Sequence, residues 1–585
     1  MKSSKEQSRK SGRTAARPAA TVVEKPRTVY WPYGLGFAIA LAVAFEVYGP
    51  SLNGPFLFDD QYLIFKRPDF AVDSLRAWIS DVRPLLMFTY WINYQVSGLQ
   101  TLSYHAFNVL FHVMVSVLAF FVVRKILEWA QVDRLRRDVL AVFAGALFLL
   151  HPVNSESVGY VASRSENLSV LFFLGAFALF LYRRSAEITW TRTALVLVVF
   201  GAAVLSKEHT VVLPALLLLT DYFWNPPFSF TGIRRNWRLY VPVTIAAVLA
   251  AAYLARQLSG ASSAGFRIKD FKWYQYFFTE CRAFWLYIRL FLFPVGLRID
   301  YDYPVSHTIL EHGAILGLMA ILVAAGVLFY FRRRYPLAAY GFFAFVILMA
   351  PTSSFVPIAD PVAERRLYLS MIGLLLIAME LLRRVDVRQP RRMAALAGVV
   401  LIAGIATYNR NFVWSDKVAL WEDTAAKSPG KARVEFQLAQ AYYEHAACDK
   451  ALPHYERSAA LDPSDYRLFI DWGLAYDCLK QPEQALTKFK RAASMKATAH
   501  AYSQIGMIYG KEGKNAEALE ALATAEKIDP NFDMTYVYRG GVRMSEGNVN
   551  AASEDFRHAL ALNPRNQTAR EALAMIDAQR NVARP

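Results

Sequence analysis

The sequence predicts an all-α protein in two parts: a polytopic transmembrane helix bundle over residues 31–410, then an α-solenoid over 431–585. Three observations predict it. Long apolar runs fill residues 31–410 and stop there. Over the whole chain, 55% of the 585 residues are hydrophobic and only 19% charged, which excludes a disordered chain and argues against an ordinary soluble enzyme. Arginines gather in short clusters between the runs, as cytoplasmic loops do. Beyond residue 430, prolines and small residues recur at steps of 33–34, the mark of a stacked helical repeat.

Residues 1–30 carry Lys2, Lys5, Arg9, Lys10, Arg13, Arg17, Lys25 and Arg27 against Glu6 and Glu24. They read as a disordered basic tail on the cytoplasmic side. The apolar run after them is long enough to span and lacks a clear small-residue cleavage site. It reads as a first spanning helix rather than a cleaved signal. Candidate spans lie near 32–50, 103–123, 138–152, 166–182, 191–206, 209–224, 239–257, 309–331, 336–351, 367–382 and 394–409. Several fall short of the ~20 residues a bilayer core needs, which broken helices inside a protein-lined cavity tolerate. With the N-terminus inside, the clusters Arg134/Arg136/Arg137, Arg183/Arg184, Arg234/Arg235, Arg332/Arg333/Arg334 and Arg383/Arg384 all fall on the cytoplasmic side. Residues 411–585 then lie outside, with 411–430 as a linker. Residues 273–293 are apolar enough to cross, but a crossing there would invert everything downstream. They also hold Glu280, Arg282 and Arg289, and are read as an interfacial or re-entrant helix.

The net charge of +17 does not make this a nucleic-acid binder, because much of it sits in those loop clusters. Three cysteines provide neither a disulfide framework nor a metal cluster. Cys448 and Cys478 lie near helix ends of neighbouring repeats. They could pair in an oxidising compartment, although free packed thiols are the expectation.

The stretches richest in unusual polar residues, 51–102, 151–164, 207–208, 298–308 and 352–366, all fall on the outer face. Ionisable residues at membrane depth are costly and usually functional. Asp59 and Asp60 stand side by side after the first span. One of them can serve as a base near neutral pH only if a cation or hydrogen bonds hold it; a solvated loop pair or a helix cap is the alternative. Arg83 precedes Pro84. His105, Asn108 and His112 share one face of an otherwise apolar helix, so that face turns into the bundle, for catalysis or for helix–helix hydrogen bonds. His151 closes the third span. Glu156, Tyr160, Ser163 and Asn167 follow on one stripe, with Arg164 beside it. Lys207 and Glu208 are adjacent and so point apart on a helix, each toward another partner. Asp300 and Asp302 sit in an aromatic stretch that could mark an interfacial belt. Glu364, Arg365 and Arg366 enter a span from the outer side, where two arginines need an anion; a phosphate suits the guanidinium fork. Together these residues suit transfer of a group from a lipid phosphate. Arginine or lysine would hold the leaving phosphate, and an aspartate would deprotonate an acceptor hydroxyl.

Pro429, Pro463, Pro530 and Pro564 step by 34, 67 and 34 residues. Ala439, Gly473, Gly506 and Gly540 form a second column, and Ala451, Ala485, Ala518 and Ala552 a third. These columns identify four tetratricopeptide repeats over about 431–564, with a capping helix near 566–580. Such arrays offer a concave face for an extended peptide, or a surface for assembly.

Taken in order, Asp59-Asp60, Arg83-Pro84, Tyr104-His105, His151-Pro152 with Glu156 and Arg164, Lys207-Glu208 and Glu364-Arg365 with Leu367-Tyr368, followed by the repeats, resemble the transmembrane and tetratricopeptide-repeat O-mannosyltransferases. That family has the glycosyltransferase C superfold, and this chain looks like a bacterial relative of it. The resemblance implies a polyprenyl-phosphate sugar donor, usually mannose, and Ser/Thr hydroxyls of extracytoplasmic proteins as acceptors, bound through the repeats. It implies inverting transfer with no cofactor and no divalent-metal requirement. Asp59 and Asp60 would be the acidic pair, one of them the base. Arg83, His105, His151, Glu156, Arg164, Lys207, Glu208, Glu364, Arg365 and Arg366 would form the donor site. The location would be a bacterial inner membrane with periplasmic repeats, or the endoplasmic reticulum with lumenal ones. Transfer to a lipid or cell-wall glycan, and a non-catalytic scaffold presenting the repeats, stay open as rivals.

Overall fold

The computed structural model describes residues 31–67, 70–80, 83–258, 265–266, 268 and 271–582. The basic tail at 1–30 lies outside them. The regular elements are helices. The membrane part contains α1 (Trp31–Val47), α2 (Pro84–Ser97), α3 (Thr101–Trp129), α4 (Arg134–Leu150), α5 (Arg164–Leu181), α6 (Trp190–Val204), α7 (Leu213–Trp224), α8 (Trp237–Leu258), α9 (Trp273–Leu292), α10 (Ala314–Tyr330), α11 (Pro336–Met349), α12 (Leu367–Leu382) and α13 (Pro390–Val413). Every candidate span therefore has its helix. Five are long and apolar enough to cross a bilayer unaided: Thr101–Trp129, Val161–Leu181, Trp237–Arg256, Glu311–Tyr330 and Pro390–Val413. A sixth is the pair Arg134–Leu150 and Pro152–Gly159, bent by 46° where His151-Pro152 interrupts it. Proline cannot donate into the helical ladder, so the break falls where the sequence puts it. The helix over 273–292 is not among these. Its Glu280 is buried, and Arg282 donates to the Pro304 carbonyl and the Ser306 hydroxyl, both at 2.9 Å.

α3, α5 and α12 carry the interior. Their Val, Leu and Phe side chains merge with those of α4, α7 and α11 into one large core. α11 and α12 lie nearly backbone to backbone. A Cβ added to Gly341 would stand 2.5 Å from the Gly373 carbonyl oxygen. Such approach is how helices gain packing in lipid, where burial of apolar surface drives nothing. By contrast α10 is almost wholly outward-facing and apolar, as a lipid-facing helix must be.

The arginine clusters meet at one end of this bundle. Arg136 Nη1 donates to the Arg383 carbonyl at 2.8 Å, and Arg384 Nη2 to the Arg334 carbonyl at 3.1 Å. Arg183 pairs with buried Asp221 at 2.7 Å and lies over the Trp129 ring. Asn236, next to Arg234/Arg235, bonds the same carboxylate at 3.0 Å. Arg332 lies over the Phe228 ring. The acidic pair, the Glu364–Arg366 segment and the repeats gather at the other end.

Beyond Val413 the chain does not run on as a bare linker. A further helix, α14 (Lys417–Lys427), is capped by Asp416, whose Oδ1 accepts from the Ala419 amide at 2.9 Å. It packs on the first repeat hairpin. The repeats are α15 (Ala432–Glu444) with α16 (Cys448–Leu461), α17 (Tyr466–Cys478) with α18 (Pro482–Met495), α19 (Ala499–Lys511) with α20 (Asn515–Ile528), and α21 (Asp533–Ser545) with α22 (Val549–Leu562), closed by α23 (Gln567–Val582). Within each pair the small column lets the partner's apolar side chain lie flat against the first helix. A Cβ at Gly473 would meet the Phe489 ring at 2.5 Å, and one at Gly540 the Phe556 ring at 2.7 Å. Gly473→Ala is therefore expected to destabilise the solenoid by about 1–3 kcal/mol through overpacking. Urea unfolding of the full chain followed by far-UV circular dichroism checks it; an unchanged midpoint would refute it.

Cys448 and Cys478 are disulfide-bonded, with Cα atoms 6.4 Å apart, joining the first two repeats. This corrects the expectation of free thiols. The two cysteines stand on facing helix ends across a repeat boundary, a relation that spacing alone does not give.

Candidate functional site

The loop after α1 descends into a 3-10 turn, Phe58–Tyr62, that carries the acidic pair. Phe58 adopts a positive φ of 44°, uncommon for a bulky side chain. Its ring is held by Trp421 of α14 at 5.6 Å between centroids, with the Arg433 guanidinium 5.3 Å above it. Contacts from the repeat side thus secure a strained turn, and the turn fixes the two carboxylates differently. Asp60 points inward and is fully buried. Its Oδ2 accepts from the Leu57 amide at 3.0 Å and its Oδ1 from the Ala162 amide at 2.6 Å. Burial pushes its carboxyl up to about 7, against the pull of those two amides. Asp59 is exposed. Its amide donates to the Tyr160 hydroxyl at 2.8 Å, while its carboxylate has no hydrogen-bond or ion-pair partner among the described residues.

Tyr160 links this pair to the cations. Its ring is buried and stacks on Trp414 at the end of α13. Asp60, Asp59 and Arg365 are its charged neighbours. Arg365 pairs through Nη1 with fully buried Glu156, whose Oε2 also accepts the Arg365 amide at 3.0 Å. Burial works against the guanidinium charge, but Glu156 and Tyr160 hold its pKa above the ordinary value. A quarter of the Arg365 side chain, 24%, stays open. Lys207 pairs with Glu166, which also faces His209 Nε2 at 3.5 Å. Burial lowers the Lys207 ammonium, Glu166 opposes that, and the nearby cations Arg83 and Arg365 lower it further. Arg83 holds Glu208 with two bonds, 2.7 Å from Nη2 and 3.2 Å from Nε. Burial alone would raise Glu208; the Arg83 fork overrides it, so the carboxyl sits near about 2. Arg83 and Glu208 each keep about a third of their side chains open. Adjacent Lys207 and Glu208 thus take separate partners; Lys207 is extended and Glu208 opens a short 3-10 turn.

The remaining predicted residues are consumed by the fold. Arg164 is fully buried. It donates to Asn108 Oδ1 at 2.9 Å, Asn93 Oδ1 at 2.5 Å and the Tyr104 carbonyl at 2.8 Å, and lies over the Tyr90 ring at 4.4 Å. It rivets α5 to α2 and α3. His105 Nε2 stands 3.1 Å from the Gly54 carbonyl. His151 Nδ1 accepts from the Val153 amide at 3.3 Å, Nε2 lies 3.0 Å from the Phe291 carbonyl, and the ring stacks on Phe291. His112 is tied to Tyr368 at 2.7 Å and to the Leu149 carbonyl at 3.0 Å. Arg366 bonds Tyr276 at 3.0 Å, Glu280 at 3.3 Å and the carbonyls of Pro361 and Asp360. Glu364 is buried, accepts from the Arg298 amide at 2.5 Å and the Tyr301 hydroxyl at 2.8 Å, and is pushed up to about 7 by that burial. Glu364, Arg365 and Arg366 therefore reach three different elements. Of these, Arg365 keeps the most open side chain.

Residues that sequence reasoning left out complete the site. Glu166 orients Lys207, and its signal was a carboxylate in the first turn of a span. Asp300, which had read as an interfacial mark, instead pairs with Lys431 and with Arg433 at 2.6 Å. Asp360 takes the same Arg433 at 2.6 Å. These ion pairs clamp the first repeat onto the loops that hold Asp300 and Asp360, and an Asp–Arg pair across 133 residues leaves no local pattern.

The fold and this polar end define an integral membrane protein: an all-α bundle with an ionisable site at one end, roofed by tetratricopeptide repeats. The Tetratricopeptide repeat family matches residues 499–532. The chain is a homologue of the protein O-mannosyl-transferases. It is 24% identical over 601 residues to Protein O-mannosyl-transferase TMTC3 of Mus musculus, covering 90% of this chain and 64% of that protein. It is 25% identical over 453 residues to Protein O-mannosyl-transferase F38B6.6 of Caenorhabditis elegans, covering 73% of this chain and 62% of that one. A shorter match to Protein O-mannosyl-transferase Tmtc1 of Drosophila melanogaster reaches 32% over 199 residues, 31% of this chain and 22% of the relative. The chain thus spans about 62–64% of the length of the first two.

Proposed function

We propose that this chain is a membrane glycosyltransferase. It moves a sugar, mannose by the similarity above, from a polyprenyl-phosphate carrier to Ser/Thr hydroxyls of proteins outside the cytoplasm. The observation that carries the reading is the exposed Asp59 carboxylate without a partner, in a residue joined through Tyr160 to the quarter-open cation Arg365. Asp59 takes the proton of the acceptor hydroxyl as its oxygen attacks the anomeric carbon. The bond from that carbon to the phosphate oxygen breaks, and the polyprenyl phosphate leaves with the electron pair. Attack from the face opposite the phosphate inverts the anomeric centre. Arg365, Lys207 and Arg83 face the charge that grows on the leaving phosphate, where fixed cations in a water-poor site act strongly. Asp60 shapes the loop rather than taking the proton, because both its oxygens already hold amides. The arginine-rich end faces the cytoplasm by the positive-inside rule. The Cys448–Cys478 disulfide on the repeat side supports an oxidising compartment there.

The test supplies the purified full chain in nanodiscs with polyprenyl-phosphate mannose and a Ser/Thr-containing acceptor peptide. A hexose-sized mass increment on a hydroxyl residue supports the reading. Consumption of the donor with the hexose found on lipid or glycan and none on peptide would overturn it.

A further inference from the structure

A cleft of about 290 Å3 opens where the acidic loop meets the repeats. Phe58 and Tyr62, which flank the acidic pair, form one wall; Arg433, Gln437, Arg467 and Asp471 on α15 and α17 belong to the other. Both arginines are neutralised. Arg433 is held by Asp300 and Asp360, and Arg467 by Asp465 at 2.7 Å. Lys417, from α14, is taken by both oxygens of Glu444 at 2.8 Å. Asp471 has no hydrogen-bond or ion-pair partner among the described residues. Asp462, also on the cleft wall, caps only the Ser464 amide, at 2.9 Å. The unbalanced charge in the cleft is therefore acidic.

Two of its wall residues, Gln437 and Asp471, belong to a column that recurs along the solenoid. Gln437, Asp471, Gln504 and Tyr538 occupy the same position in four successive repeats. Gln504 Nε2 reaches the Tyr538 hydroxyl at 3.4 Å. This is a row of polar groups suited to an extended backbone, in which Asp471 alone is charged. A strand-like segment advances about 3.3 Å per residue. One lying on this row passes from the repeats directly beside Phe58 and Tyr62, and so to Asp59.

We propose that the cleft binds an extended polypeptide acceptor and selects for a lysine or arginine close to the accepting hydroxyl, with Asp471 as the residue that pairs with it. This deepens the proposed function and rests on it. Burial first, then the neighbouring carboxylates Asp465 and Glu444, pushes the Asp471 carboxyl up to about 7, while Arg467 and Lys417 pull it down. A ligand cation would relieve that penalty, and the Tyr443 ring nearby offers it a second surface.

The test uses the full chain in nanodiscs and two fluorescent Ser/Thr peptides of equal length, one with a lysine near the hydroxyl and one with glutamine in its place. Anisotropy is expected to show about tenfold tighter binding of the lysine peptide. Asp471→Asn, which keeps shape and removes charge, is expected to bring the ratio to about one, and Asp471→Lys to favour a glutamate peptide. Equal affinities in the unaltered chain, or a lysine preference that survives Asp471→Asn, would overturn the proposal. Sugar transfer measured on the same peptides separates the two readings. Lysine preference without transfer keeps the docking site and removes the proposed enzyme; transfer without preference does the reverse.

Discussion

Asp59→Asn is expected to lower sugar transfer by about 10²–10⁴-fold, the range that a positioned general base contributes. The carboxylate is exposed and free of partners, so its loss leaves no buried charge stranded and no hydrogen bond broken. The Tyr160 contact runs through the Asp59 amide and survives the change. Membrane insertion, unfolding midpoint and donor binding should therefore match the unaltered chain while the chemical step fails. Asp60→Asn is the contrast. Asparagine has one acceptor oxygen where the loop requires two, one for the Leu57 amide and one for the Ala162 amide. That change should lower stability and transfer together. Single-turnover transfer rates and thermal unfolding in nanodiscs read both. Asp59→Asn with undiminished transfer would move the base elsewhere.

The sequence showed the helices clearly, because spans and repeats both announce themselves through periodic apolar and small residues. That Lys207 and Glu208 take separate partners was legible from their adjacency, although Lys207 is extended rather than helical. What the sequence could not separate was chemistry from carpentry among the outer-face polar residues. Arg164 and Arg365 look alike in one dimension. In space the first is enclosed by Asn108, Asn93, Tyr104 and Tyr90, and the second keeps part of its fork open. That distinction depends on which helices cross above each side chain. The same holds for Asp300 and for the cysteines, whose partners stand in other elements. Glu166 was missed because its cation lies 41 residues away and leaves no local pattern.

Arg365 poses the sharpest test, since its stability and functional roles can be pulled apart. Arg365→Met leaves the fully buried Glu156 carboxylate without its cation and is expected to cost about 3–5 kcal/mol, as breaking a buried pair by removing one partner does. Transfer would fall too, but an unfolded protein proves nothing about phosphate. Glu156→Gln in the same chain removes the stranded charge. The double variant should regain most of the lost stability, because a buried pair replaced by neutral groups of similar size is often close to neutral. Transfer should not return with it, since the guanidinium that faces the leaving phosphate is still missing while Asp59 and Tyr160 are in place. Urea unfolding gives the stability cycle, and transfer rates at saturating donor give the functional one. Should the double variant transfer sugar at the normal rate, Arg365 would be no more than the lock on Glu156, and the leaving group would fall to Lys207 and Arg83.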